Sequence, residues 1–419
     1  MKTRRVTLSL LFLLSLAVSA GALAQSGLGS GGTVATPRLE DLREKGSEAL
    51  FNLDYESARQ TFKEMARLFP EDPTGPQMLA TTLWLETLNK SRLLQASIYS
   101  SSLFYTKTEE QPDERVTRDF RDLTRQATQL AKARLQHNPR DPQTLYLLGA
   151  TETLKAAFAA TVEQRSIAAL RAGSSGVDKH REVLKLDPNF HDAELTIGVF
   201  DYIVGSLPLP TKLLASIAGA RGSKKRGIET LERVAKEGHW TRDDARVMLI
   251  SLYKREKRFP EALLVSRELQ EKYPRNYLFM LETADALISQ SLIERLASRT
   301  KEAAAMQSEA LRTFDLLLRE RSAPGAPSRA LDLIHFRYGE ALLLLGQPDR
   351  AAENFLAAVN AARPGLVTRA RLRAAQALDL AGKRNEALAE YRIVLSRPNI
   401  YDSLEQARRG LKEPYRQVK

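Results

Sequence analysis

From about residue 38 onward, apolar side chains recur at i, i+3, i+4 and i+7, and no stretch alternates with the period of two that a half-buried strand requires. The pattern predicts a succession of amphipathic helices and an all-α fold. The helices keep a common register. Gly46 is followed by Ala58, Phe62 and Pro70; Ile250 and Tyr253 by Ala262 and Pro274; Tyr338-Gly339 by Ala351 and Phe355; Ala375 by Ala387 and Tyr391. The interval to the alanine is 12 residues in all four (46→58, 250→262, 339→351, 375→387). Pro139 precedes Gly149, and Pro188 precedes Gly198, by ten residues, the spacing from the end of one such unit to the glycine of the next. These junctions predict helices from Asp141 to about Ala160 and from Asp192 to about Val204. Leu53–Ala58 and Leu345–Ala351 read as turns within helix pairs.

The spacing resembles the tetratricopeptide repeat, W-x2-L-G-x2-Y…A-x3-F…P over 34 residues. The resemblance covers most of the chain after residue 38 and implies a right-handed superhelical solenoid of roughly seven or eight stacked antiparallel helix pairs. Small residues at the Gly and Ala positions let paired helices approach, large ones fill the space between them, and proline ends the second helix. The sequence departs from the repeat in places. Its tryptophan position is never tryptophan. The segment from Gly149 to Pro188 is about fifteen residues longer than one repeat, and residues 88–115 and 288–300 are also long.

The N-terminus has a different pattern. Lys2, Arg4 and Arg5 precede an apolar run from Val6 to Val18 and the small-residue site Ala22-Leu23-Ala24, the layout of a secretory signal peptide. The run is short of the roughly 20 residues a membrane span needs, and no cysteine follows it to carry a lipid. The expected layout is a signal peptide at 1–24, a Gly/Ser-rich tether at 25–37 and N-terminal repeats at 38–137. Irregular central repeats with an apolar insertion follow at 138–240, then C-terminal repeats at 241–400, and a capping helix with a basic tail at 401–419. The expected localisation is export, to the periplasm or beyond the cell.

Charge and composition narrow the chemistry. The net charge is +12, and removal of the three basic signal residues leaves +9, which favours acidic partners or anionic surfaces. The absence of cysteine excludes disulfides, thiolate metal sites and cysteine nucleophiles. The five histidines form no H-E-x-x-H motif, no G-x-S-x-G elbow occurs, and Gly219-x2-Gly222-Ser223-Lys224 lacks the spacing of a phosphate-binding loop. His191 and Glu194 could touch one metal, but two ligands make a weak site. No catalytic residue, metal or cofactor is expected. Arg408–Lys419 holds five basic residues and one acidic, which reads as the exposed end of a capping helix more readily than as a nucleic-acid site.

Two regions are candidates for binding. Gly198-x-Phe200, Ser206-Leu207-Pro208, Lys212-Leu213-Leu214 and the glycines Gly219, Gly222 and Gly227 resemble the middle of the tetratricopeptide family 39 and inclusion-body-clearance proteins over about 60 residues. That resemblance implies shared architecture, not shared task. The segment 203–226 ends in the basic cluster Arg221, Lys224, Lys225 and Arg226. It reads either as a lipid-contacting element or as a helix from about Thr211 to Ala220 that closes the core. Elsewhere, the inner-face positions of the tetratricopeptide family fall on Trp84, Tyr146, Tyr202, Lys254, Arg255 and Phe336, with core packing as the alternative at each. The expected function is an exported scaffold that binds protein or peptide partners through a concave groove, without catalysis. The alternatives are a membrane-surface binding protein using 203–226, and an enzyme whose site would show as a buried cluster of three or more convergent polar groups.

Overall fold

The computed structural model describes residues 37–95, 112–207, 209, 212, 221–322, 330–360 and 364–416. The signal peptide, nearly all of the tether and most of the apolar insertion lie outside the described residues. Among these there are seventeen α-helices, one short 3-10 turn (His191–Ala193) and no β-strand. The chain divides into two compact units. One comprises the described residues of Met1–Thr87 and Pro112–Leu252, the other those of Leu88–Gln111 and Tyr253–Lys419.

The first unit is built from α1 (Leu39–Phe51), α2 (Tyr55–Leu68), α3 (Thr74–Lys90), α4 (Glu114–His137), α5 (Pro142–Thr161), α6 (Ser166–Leu186), α7 (Glu194–Gly205), α8 (Lys224–Glu237) and α9 (Arg242–Arg255), except that the last three residues of α3 and of α9 belong to the second unit. Consecutive helices pack as pairs, most extensively α5 with α6 and α7 with α8. The excess length between Gly149 and Pro188 is absorbed by extending α5 and α6 to 20 and 21 residues. The predicted helix at Asp141 begins as expected. Pro142 occupies the first turn, and the Asp141 carboxylate accepts the Gln143 and Thr144 amides at 3.3 Å.

The second unit contains α10 (Phe259–Lys272), α11 (Tyr277–Leu296), α12 (Thr300–Ser322), α13 (Leu331–Leu344), α14 (Pro348–Asn360), α15 (Pro364–Leu380), α16 (Arg384–Leu395) and α17 (Ser403–Lys412). Each helix packs on the next, and the alternate helices α11, α13, α15 and α17 also touch in succession. This is the tetratricopeptide-like arrangement, in which first helices stack on first helices. The last helix, α17, lies on α15 and α16, with Gly410 against the Tyr391 ring and Arg408 and Arg409 exposed.

One backbone device recurs through both units. Leu53, Gln164, Lys257, Ser298, Gly346 and Gly382 all adopt left-handed φ between 55° and 76°. Each stands five residues before a buried alanine: Ala58, Ala169, Ala262, Ala303, Ala351 and Ala387. In several of these turns an amide reaches back over the helix end, as from Asp54 to the Ala49 carbonyl (2.8 Å), Arg258 to Tyr253 (2.8 Å) and Gln347 to Leu342 (2.9 Å). This turn satisfies the last carbonyls of the first helix and reverses the chain. Glycine takes the left-handed position in only two of the six turns. The register was therefore invisible to a search for turn glycines at the irregular pairs α5–α6 and α11–α12.

Glycine matters more where helices touch. A Cβ on Gly339 would stand 2.7 Å from Phe355 Cε1, and Gly46 meets Phe62 in the same way. The small residue on the first helix thus receives the aromatic of the second, sixteen positions later. In the irregular α5–α6 pair Gly149 plays this part, and His180 takes the place of the aromatic.

Candidate functional site

Four of the six residues assigned to a ligand-facing groove are packed inside. Trp84, Tyr146, Tyr202 and Phe336 are each no more than 3% exposed. Trp84 Nε1 donates to Thr161 Oγ1 at 2.9 Å, and Phe336 lies edge-on to Phe355 under the Arg369 guanidinium, 4.7 Å away. Register alone does not separate groove from core at these side chains, because α3, α5 and α7 are apolar around most of their circumference and no polar stripe marks a solvent side. Arg255 is half-buried. Lys254 is buried too, in a charged setting described below.

In the first unit Tyr146 organises an aromatic cluster. It stacks on His180 (centroids 5.2 Å, 17° between planes) and lies 5.1 Å from Phe190 and 5.4 Å from Trp240. The N-terminal helix closes over this cluster. The Arg43 guanidinium sits 3.9 Å from the Trp240 ring centroid, and Trp240 Nε1 donates to Glu40 at 2.8 Å. The loop carrying Trp240 is held by one carboxylate. Asp192 accepts the backbone amides of His239 (3.3 Å), Trp240 (2.8 Å) and Thr241 (2.7 Å), and the Thr241 hydroxyl at 2.9 Å.

His180 is fully enclosed in this cluster. Its Nε2 donates to the Tyr146 carbonyl at 3.2 Å, and Nδ1 has no hydrogen-bond partner among the described residues. Burial drives its pKa down from the ordinary 6.5 to about 4, against the opposing pull of the Tyr146 carbonyl and Asp192. The unfolded chain binds this proton near pH 6.5 and the folded chain only near 4, so the stability contributed by neutral His180 is complete above 6.5 and is lost as pH falls towards 4. Between about pH 7.5 and about pH 5 we expect this one group to remove about 2 kcal/mol. Urea unfolding of wild type and His180→Gln across that window is the check; equal pH slopes would refute the assignment.

In the second unit the first helices converge on a buried charge network. Lys254 Nζ lies 2.6 Å from Glu282 and 2.5 Å from Asp285 on α11. Arg337 on α13 reaches Asp285 at 2.6 Å and Glu282 at 3.9 Å. Burial works to raise the Asp285 pKa, but Arg337 and Lys254 outweigh it and hold the carboxyl at about 2. Next to this network, Asp332 in the first turn of α13 pairs with Arg92, and Arg337 Nη1 donates to Gln95 Oε1 at 3.3 Å. Further along the stack, Arg373 makes a two-pronged contact with Glu340 at 2.6 and 2.9 Å.

This network meets the criterion set above for reviving an enzyme reading, since more than three polar groups converge in a buried place. Its chemistry points elsewhere. Asp285 is firmly ionised, and each carboxylate faces a cation, so the charges hold one another where a general base would need to be released near neutral pH. Lys254 was visible in the sequence. Glu282, Asp285, Asp332 and Arg337 were not singled out, although ionised residues inside otherwise apolar helices were the available signal.

The remaining candidates are occupied locally. In the basic cluster, Arg226 pairs with buried Asp201, Lys225 with Glu229 at 3.8 Å, and Lys224 Nζ lies 6.0 Å from the Tyr202 ring centroid. Arg221 is exposed. His191 touches Glu194 and Glu237, each at 3.4 Å, while Glu194 is clamped by Arg233 at 2.7 and 2.8 Å. Among the described residues no three His, Asp or Glu side chains are grouped to hold a metal, and no helix is long and apolar enough to cross a membrane.

No protein-family model matches the sequence, and no curated protein sequence matches it. Solved structures do resemble it. A thermophilic TPR protein of Thermus thermophilus is 15% identical over 60% of this chain and 100% of its own, with a TM-score of 0.34. Yeast Tom70 is 13% identical over 88% of this chain and 72% of its own, with a TM-score of 0.43. Human IFIT1, solved as a dimer with PPP-AAAA, is 12% identical over 88% of this chain and 80% of its own, with a TM-score of 0.45. The chain is tetratricopeptide-like in fold, and that description rests on its own helix pairs and recurrent left-handed turns.

Proposed function

We propose that the protein is an exported scaffold that binds protein or peptide partners through the stacked first helices of its repeats and performs no chemistry itself. The observation that carries this reading is the network on the first-helix face of the second unit. Lys254, Glu282, Asp285, Asp332 and Arg337 come from three successive first helices and meet at one surface, on which residues of Leu88–Gln95 rest. Charged side chains paired with one another on rigid helices, directly beneath a short segment of chain, suit recognition of a peptide laid over them. Export is supported by the basic start, apolar run and Ala22-Leu23-Ala24 of the sequence.

The test is affinity capture from cell-envelope extract with the mature protein as bait, paired with N-terminal sequencing of the protein recovered from each cell fraction. The expected result is one or more partners captured reproducibly and an N-terminus at Gln25. Recovery of the whole chain from the cytoplasm with Met1 intact, or capture indistinguishable from an empty matrix, would overturn the reading. We do not favour membrane contact through the basic cluster, because Arg226 is already engaged by buried Asp201.

A further inference from the structure

The end of α3 leads into a short buried segment that packs on α13. Like the ends of the first helices described above, it closes with a left-handed residue, Arg92 (φ 58°), and the Leu93 amide reaches back to the Leu88 carbonyl at 2.8 Å. Beyond this turn Leu93–Gln95 is not helical, and Leu88–Gln95 belongs to the second compact unit, more than 150 residues from Tyr253, where the rest of that unit begins. Arg92 is 4% exposed and its partner Asp332 is 1% exposed. The guanidinium places Nη2 2.8 Å from Asp332 Oδ1 and Nε 3.0 and 3.1 Å from the two carboxylate oxygens, and Nη1 donates to the Asn89 carbonyl at 3.2 Å.

Gln95, also buried, completes the contact. Its side-chain oxygen accepts from Arg337 and its amide donates to the Arg92 carbonyl. One helix, α13, therefore reads a short non-helical segment twice. Asp332, in the helix's positive first turn, takes a guanidinium, and Arg337, five residues on, takes an amide oxygen. Arg337 is itself held by Asp285 and Glu282, which orient the second reading point from the side away from the segment's own residues. This is the geometry of a receptor and a bound peptide, with the peptide supplied by the same chain.

We propose that Ser91–Gln95, the turn and extended stretch leaving α3, is an internal ligand of the second unit: it occupies a site selective for a non-helical peptide bearing arginine, and partner segments of that chemistry bind by displacing it. This rests on the scaffold reading above and names the partner class for it. Arginine is required, since an ammonium cannot make the two-pronged contact with Asp332. The internal copy lowers the apparent affinity of any outside peptide by the fraction of molecules in which the site is open.

The probe is a fluorescein-labelled peptide of sequence Leu-Asn-Lys-Ser-Arg-Leu-Leu-Gln, matching residues 88–95, titrated against the full-length protein by fluorescence anisotropy. We expect Arg92→Ala to bind the probe at least about tenfold more tightly than wild type, because the internal copy no longer holds the site. A probe with alanine for arginine should lose that binding, as should Asp332→Asn added to Arg92→Ala. Circular dichroism and urea unfolding establish that each variant is folded; should Arg92→Ala fail this check, Arg92→Lys is read in its place. Equal probe affinity for wild type and the folded Arg92 variant, or binding that ignores the probe's arginine, overturns the inference. Partners that wild type and the Arg92 and Asp332 variants capture equally well also overturn it while leaving the scaffold reading intact. Probe binding as expected, with no partner captured by any form, sustains the internal ligand and removes the scaffold reading.

Discussion

Full-length protein carrying Arg337→Met is expected to unfold with about 3–5 kcal/mol less free energy than wild type, the usual cost of taking one partner from a buried ion network. Lys254 and Arg337 together face Glu282 and Asp285. Removal of the guanidinium leaves two carboxylates around one ammonium in a largely enclosed place, and it deprives Gln95 of its donor. Methionine replaces much of the lost volume, so a cavity contributes little and the effect is electrostatic. Arg337→Met/Asp285→Leu removes one charge of each sign and should recover more than half of the loss, since a buried pair replaced by apolar groups is often near neutral. Urea unfolding of the two single variants and the double variant gives the coupling directly. Additive losses would mean that the charges do not act on one another as their distances imply.

In the first unit the largest loss should follow Asp192→Ala. This carboxylate is the common acceptor for the His239, Trp240 and Thr241 amides and the Thr241 hydroxyl, and both Asp192 and Thr241 are buried. Each buried donor left without an acceptor costs about 1–3 kcal/mol, and water entering the vacated space would return part of it, so we expect a net loss of about 3–4 kcal/mol. Asp192→Asn keeps one acceptor oxygen and should lose roughly half as much. The effect is also local in a measurable way. Trp240 is one of two tryptophans in the chain, and a loosened loop moves it away from Arg43 and Glu40. Its emission should shift to the red and the Trp240 and Thr241 amides should exchange faster. A loss below about 1 kcal/mol with unchanged exchange would show that Asp192 does not anchor the loop.

The sequence carried the repeat because helix pairing is local. Gly46 with Phe62, and Gly339 with Phe355, stand sixteen residues apart, and each pair meets across a single turn. The turns themselves were only half legible. Gly346 and Gly382 mark the left-handed position, but Leu53, Gln164, Lys257 and Ser298 adopt the same φ without a glycine. The carbonyl-satisfying bonds of the turn and the burial of the alanine five residues on compensate there for the strain a side chain brings. This is why the α5–α6 and α11–α12 pairs looked irregular in sequence while their backbone follows the common rule.

The inner-face residues were harder to read. Tyr146 and Phe336 satisfy the groove register and the core register equally, and packing decided for the core: His180, Phe190 and Trp240 enclose one, and Phe355 and Arg369 the other. A lone arginine inside Leu331–Leu344, or Glu282 and Asp285 in the apolar first half of Tyr277–Leu296, could have been flagged as buried charge. Their partners could not. Arg92 and Asp332 are 240 positions apart, and Glu40 and Trp240 are 200 apart.

The sequence by itself determined the helical class, the pairing of neighbouring helices, the small-against-large contacts within each pair and the basic, cysteine-free composition. All of these follow from residue spacing over a few turns of chain, where propensity and hydrophobic period act directly. The tertiary structure alone decided which charges face one another, which aromatics are core, and that residues 88–95 lie on the helices of the second unit. Such contacts join positions with no common period. Once burial has removed water, they depend on charge complementarity and shape between surfaces that exist only after the helices have stacked.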